Sequence, residues 1–219
     1  MSNSIDTTGF NERNVSHHFA SADQEFSSCK QGMWLFLLTE VLLFSGLFVA
    51  YIVFRAWYPD MFDSASARLD WRLGATNTAI LIASSLTMAL AIRAAQQSKK
   101  GLSLILLLAT LACAGGFLYV KSLEYGHKFH LGIFPGSYFD FGGEHISNEH
   151  LYFSIYYLMT GLHVVHVIIG ALAILWVTIR TAKGDFYSAY YTPLEMVGLY
   201  WHLVDLIWIF LFPLLYLTK

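Results

Sequence analysis

The chain has 219 residues and a formal net charge of −2, with 56% hydrophobic, 16% aromatic and 13% charged residues. A soluble domain usually devotes roughly a quarter of its residues to charge, so this composition excludes an ordinary soluble enzyme and a disordered tail. The near-neutral balance supplies no basic footprint for nucleic acid, and no such partner is expected.

Residues 1–30 are polar and include Asp6, Glu12, Asp23 and Glu25. That pattern is neither a cleavable signal nor an Arg-rich, acid-poor transit peptide. The first apolar run is then expected to act as its own insertion signal. Beyond it, residues 31–219 read as one transmembrane domain, because about 20 apolar residues in a helix cross a ~30 Å hydrocarbon core. The expected spans are 31–54, 73–95, 101–123, 151–180 and 194–217. The runs do not alternate as barrel strands would. The fold class is therefore all-α: a polytopic bundle of five transmembrane helices. The connections at 93–100 and 180–193 are short, whereas 121–150 reads as an ordered surface loop. Cys29 lies just before the first run and Cys113 deep in the third, so their pairing is not expected.

Five spans place the termini on opposite sides. Lys and Arg divide almost evenly between those sides, but the densest short cluster is Arg93, Lys99 and Lys100. Short loops weigh most in the positive-inside rule, which puts the N-terminus inside. Gly46, Gly115, Gly116, Gly161 and Gly170 are candidates for close helix approach. Trp57, Tyr58 and Trp71 suit interfacial belts.

Ionisable residues within a span are functional candidates by default. Glu40 lies nine residues into the first span, about 13 Å deep, among Phe36, Leu37, Phe44 and Leu47. These neighbours disfavour a bare charge. Such a carboxyl either relays protons or bonds across a helix interface, and it is expected to be buried against protein or a confined lipid. Glu195, His202 and Asp205 share one stripe of the fifth span, and His163 and His166 one face of the fourth. These five residues could form a polar seam joining the two helices. Alternatively, His163 and His202 fall at similar depth and could hold a haem. No span offers the Glu-x-x-His pairs of a di-iron site, or the converging ligands of a zinc site. His145, Glu149 and His150 are expected to be solvated.

Tyr200-Trp201-His202-Leu203-Val204-Asp205-Leu206-Ile207-Trp208 resembles the Tyr-Trp-His-Phe-Val-Asp-x-x-Trp signature of subunit III of haem–copper cytochrome c oxidases. Further matches precede it in the family's order: Gly32-Met33-Trp34-Leu35-Phe36 with Thr39-Glu40-Val41, Asn77-Thr78, Glu124-Tyr125, and Gly161-Leu162-His163-Val164-Val165-His166-Val167-Ile168-Ile169-Gly170. The resemblance covers residue 30 to the C-terminus.

The resemblance implies a five-helix bacterial type of subunit III, in the inner membrane of an aerobic respiratory chain that reduces oxygen to water. It implies no catalytic residue, no metal and no redox centre on this chain, with haem and copper held by subunits I and II. The implied role is to brace subunit I, bind phospholipid and support proton uptake. Glu40 matches the family's carbodiimide-reactive glutamate. Arg180, and with less correspondence Lys30, match lipid-contacting positions. The histidine seam then takes its structural reading, and the N-terminus lies inside. Longer family members carry two further N-terminal helices that wall a lipid-filled cleft, so that cleft is not carried over. A larger respiratory supercomplex is compatible with this reading. The alternatives are an accessory subunit of a quinol oxidase or nitric oxide reductase and, in a different class, a free-standing haem b electron carrier.

Overall fold

The computed structural model describes residues 19–130 except 68, and 149–217 except 189. Within these, the helices are α1 (Ala22–Trp57), α2 (Pro59–Ser66), α3 (Trp71–Gln96), α4 (Lys100–His130), α5 (Glu149–Lys183) and α6 (Thr192–Phe212), which continues as a π-helical turn, Pro213–Leu217. Five of them, α1, α3, α4, α5 and α6 with its turn, are long and apolar enough to cross a membrane. Among the described residues, an antiparallel bridge between Tyr187 and Tyr190 is the extent of β-pairing.

Several helices run past their hydropathy limits because their ends are polar but well capped. α1 starts at Ala22, inside the segment expected to be a polar tail. Ser21 Oγ accepts from the Gln24 backbone N–H at 3.2 Å, and the Gln24 side chain accepts from the Ala20 N–H at 2.8 Å. Asp23 and Glu25 complement the positive end of the helix dipole. α4 continues to His130, so the expected loop at 121–150 is corrected: its first third is helix, and Lys121, Glu124 and Lys128 lie on it. His145 falls in 131–148, outside the described residues. Glu149 and His150 open α5 instead of lying in a loop, and His150 is exposed.

The eight-residue helix α2 was not anticipated, since no apolar run marks it. Pro59 begins it at a position that needs no N–H donor. The helix buries Met61, Phe62, Ala65 and Ser66. Phe62 meets Tyr51 of α1 and Tyr152 of α5 edge-on, at 5.1 and 5.2 Å between ring centroids. Two left-handed residues make the sharp reversals at the opposite end. Ser98 (φ 56°) turns α3 into α4, and Gly184 (φ 90°) ends α5. Ser98 also accepts from the Ser188 N–H at 3.1 Å, which ties the two reversals together.

Pair contacts give the bundle its register. α3 and α4 form an antiparallel hairpin held by Ser103 Oγ to the Ala91 carbonyl (3.0 Å) and by Thr87 with Thr110 (2.8 Å). α6 is central. It runs antiparallel to α3, with Ser85 opposite His202 and Thr78 opposite Trp208. It also runs antiparallel to α5, where Tyr152 meets Leu215 and His166 meets Tyr200. It lies parallel to α1, whose Lys30, Phe36 and Tyr51 match Glu195, Tyr200 and Leu214 in order. Trp201 and Trp208 are fully buried at the centre. The π-helical end would leave its last carbonyls without partners. Tyr51 and Tyr152 hydroxyls donate to Leu214 and Leu215 carbonyls at 2.7 and 2.9 Å.

The glycine expectation holds at Gly170 alone among the five named. A Cβ there would lie 2.8 Å from Trp201 Cε3. Gly46, Gly115 and Gly161 have nothing within 4 Å of such an atom, and Gly116 has only Ile80 at 4.0 Å. The close approaches missed in the sequence are Gly74 against Phe212 and Gly198 against Ile92. A small residue permits close approach only where the register sets a bulky side chain opposite it.

Candidate functional site

The parallel register of α1 and α6 brings Glu40 to the depth of Val204 and Asp205. Glu40 points away from those residues, to α5. Its Oε2 lies 2.8 Å from His166 Nε2. His166 Nδ1 lies 2.8 Å from the Leu162 carbonyl, which can only accept, so Nδ1 carries a hydrogen. The bond between Nε2 and the carboxyl then holds one further proton, placed on either partner. Phe44 packs edge-on to the imidazole at 5.1 Å, and the Tyr200 hydroxyl donates to the His166 carbonyl at 3.2 Å. The pair therefore joins α1, α5 and α6. Glu40 itself is half-buried, its side chain 16% exposed, and so less enclosed than expected. Beside it, an apolar groove of about 360 Å³ runs between α1 and α6, lined by Val41, Phe44, Phe48, Leu203 and Phe210 among others.

The expected seam between the fourth and fifth spans does not form as one unit. α5 and α6 do pack together, but their polar side chains bond to other helices. His202 Nδ1 lies 2.7 Å from Ser85 Oγ on α3. Asp205 Oδ2 lies 3.4 Å from Ser84 Oγ, which also accepts from the Trp201 indole N–H at 3.1 Å. Glu195 pairs with Lys30 of α1 at 3.4 Å. His163 makes no hydrogen bond and is packed between the rings of Phe117 and Trp208, at 5.6 and 5.2 Å. His163 and His202 thus face different neighbours and are not brought together. The sequence placed these residues on shared stripes, but which helix each stripe meets is set by packing.

At the membrane edge, Arg180 Nε donates to Asp185 Oδ2 at 2.8 Å, and the guanidinium lies over Trp176 and Phe186. Lys30 lies over Phe26 at 5.5 Å. Both cations thus already have partners within the chain. Among the described residues, no three His, Cys, Asp or Glu side chains are grouped to hold a metal. Cys29 is exposed and Cys113 half-buried, both as free thiols.

A buried ionic cluster was missed. Lys121 Nζ donates to Glu124 Oε2 at 2.9 Å and lies 3.0 and 2.9 Å from the hydroxyls of Tyr156 and Tyr216. Lys128 Nζ donates to Glu124 Oε1 at 2.8 Å, and both tyrosine hydroxyls donate to the same oxygen. Lys121 is 1% exposed. The cluster joins α4, α5 and the end of α6. Its signal is the helical spacing 121, 124, 128, which falls within the stretch 121–150 expected to be a surface loop.

The chain was also compared with known proteins. It matches the family model for cytochrome c oxidase subunit III over residues 11–218. The chain belongs to that family. A probable cytochrome c oxidase subunit 3 of Nocardia farcinica is 32% identical over 193 residues, covering 86% of this chain and 87% of that protein. The cytochrome c oxidase subunit 3 of Synechocystis is 34% identical over 188 residues, covering 85% and 74%. The Aeropyrum pernix haem–copper oxidase subunit I+III is 30% identical over 200 residues, or 86% of this chain and 22% of that longer protein. The chain is thus a multi-pass membrane subunit of a multi-subunit oxidase.

In Glu40→Gln the carboxamide N–H still donates to His166 Nε2, so assembly should persist. Glu40→Leu strands that nitrogen, at a cost of about 1–3 kcal/mol. Thermal unfolding of the purified oxidase should show the Leu variant releasing this chain at a lower temperature than Gln. Equal behaviour of the two would mean that the bond to His166 contributes nothing.

Proposed function

We propose that the chain is the non-catalytic third subunit of a proton-pumping cytochrome c oxidase in the bacterial cytoplasmic membrane. There it braces subunit I, holds phospholipid and supports proton uptake. Haem and copper of that complex belong to subunits I and II, and the N-terminus faces the cytoplasm.

One observation carries the reading. Apart from His163, which is packed between rings, the ionisable groups within the spans are directed to other parts of the same bundle, among them Glu40 to His166, His202 to Ser85, and Glu124 to two lysines and two tyrosines. Side chains of a redox centre converge on a cofactor, whereas these converge on one another and fasten helices. The Aeropyrum pernix relative, named as subunit I+III, supports subunit I as the neighbour. The outward apolar side chains of α1, including Leu35, Leu38, Leu42 and Val49, suit contact with lipid or that neighbour. The α1–α6 groove has the apolar lining of an acyl-chain site. Lys30 and Arg180, at the same end of the bundle, suit the headgroup phosphate.

Purification through a tag on this chain should recover subunits I and II with the oxidase haem spectrum. The chain alone in detergent should show no Soret band. A Soret band in the isolated chain would make it a haem carrier. A co-purifying subunit II without a dicopper site would point to a quinol oxidase, and recovery with a nitric oxide reductase would reassign the complex.

A further inference from the structure

α3 and α6 do not close against each other along their whole length. At the end where α6 begins, a cleft of about 530 Å³ lies between them, lined by Ala89, Ile92, Arg93, Gln96, Glu195, Leu199 and His202. That is ample for several waters, each occupying ~30 Å³ in the liquid. Arg93, Gln96 and Glu195 stand at its mouth. Glu195 is also paired with Lys30. His202, seven residues along α6 and so about 10 Å deeper, forms its inner wall.

Beyond His202 the polar groups continue inward. His202 Nδ1 lies 2.7 Å from Ser85 Oγ, and Asp205, one turn further along the same face of α6, meets the adjoining Ser84 of α3. Asp205 is 3% exposed, and its Oδ1 has no hydrogen-bond partner. Ser84 touches only the other oxygen, at 3.4 Å. A buried polar atom without a partner costs free energy unless water reaches it. Along this face, a polar route outward runs past Ser85 and His202 to the cleft.

We propose that the α3–α6 cleft is a water-filled inlet, and that protons exchange between it and Asp205 through His202 and Ser85. In one transfer, a proton arrives on His202 Nε2 from water in the cleft. The hydrogen on Nδ1 passes to Ser85 Oγ, whose own hydroxyl hydrogen passes to the Asp205 carboxylate. The reverse sequence returns it, so the path is a dead end that stores one proton and leaves no net charge behind. The proposal depends on the geometry of this chain and not on the bracing role.

The test uses the assembled oxidase with Cys29 and Cys113 replaced by Ser. Ala89→Cys and Leu199→Cys, on opposite walls of the cleft, should react with a charged, membrane-impermeant thiosulfonate at least tenfold faster than Leu206→Cys, which lines the apolar α1–α6 groove. Equal, slow rates would show the cleft filled by lipid or protein and would overturn the proposal. In the infrared, the carboxyl stretch lost in Asp205→Asn should shift within seconds of transfer to D2O. His202→Phe, or Ser85→Ala if His202→Phe fails to assemble, should slow that shift at least tenfold. A missing band, a shift taking hours in the unmodified chain, or a rate indifferent to both variants would each refute the relay. Co-purification of the oxidase subunits is scored separately, so failure of the inlet remains distinct from failure of the assembly role.

Discussion

Glu124→Ala is expected to be the most damaging single substitution in the bundle, lowering stability by about 3–5 kcal/mol. Among the described residues Glu124 is the carboxylate that pairs with both Lys121 and Lys128, and it accepts from Tyr156 and Tyr216 as well. Its removal leaves two ammonium groups in a dry interior without that counter-charge, and Lys121 with only the two tyrosine hydroxyls as partners. The combination Lys121→Met, Glu124→Leu and Lys128→Met should recover most of the loss, because well-packed apolar side chains often replace a buried ion group at little cost. Thermal unfolding in detergent, with the fraction of chain retained by the oxidase, measures both variants. If the triple variant were no better than Glu124→Ala, shape and not uncompensated charge would explain the damage.

The second large effect belongs to Gly170. A Cβ at this position would lie 2.8 and 3.0 Å from Cε3 and Cζ3 of Trp201 and 3.2 Å from Tyr200 Cε1. Trp201 has nowhere to go, being fully buried and held through its indole N–H by Ser84. Gly170→Leu must therefore push α5 from α6, at a cost of about 1–3 kcal/mol or more. Such a displacement would also disturb the bond from Tyr200 to the His166 carbonyl. Gly161→Ala is the control on the same helix. It meets nothing within 4 Å, and relief of glycine's backbone entropy should leave it as stable or more stable by up to about 1 kcal/mol. Melting curves in which Gly161→Ala fell as far as Gly170→Leu would remove close packing as the cause.

The spans were legible because a run of apolar residues has one physical meaning at this length. Their ends were not. Ser21 and Gln24 extend α1 through hydrogen bonds that hydropathy does not register, and α4 continues to His130 on polar residues that an apolar run does not mark. The stripes on α5 and α6 were visible in the spacing. Their partners were not visible, because a stripe does not say which neighbour it faces. Ser84 and Ser85, two small hydroxyls in an apolar run, gave no warning that they would receive Asp205 and His202. Gly74 and Gly198 escaped notice for a related reason: their significance depends on Phe212 and Ile92 lying opposite.

The bond between Glu40 and His166 spans 126 residues of sequence. A ribosome adds about 5–20 residues per second, so the carboxyl emerges on the order of ten seconds before the imidazole that will meet it. For that interval the first span must wait in the bilayer with its polar side chain unmet, while the α3–α4 hairpin is already able to close on its own serine and threonine bonds. The first span is therefore among the last to find its seat, and the arrival of the fourth marks when it can. A chain stalled before residue 166 would present Glu40 as an exposed flag of incompleteness, legible to whatever surveys newly inserted membrane proteins.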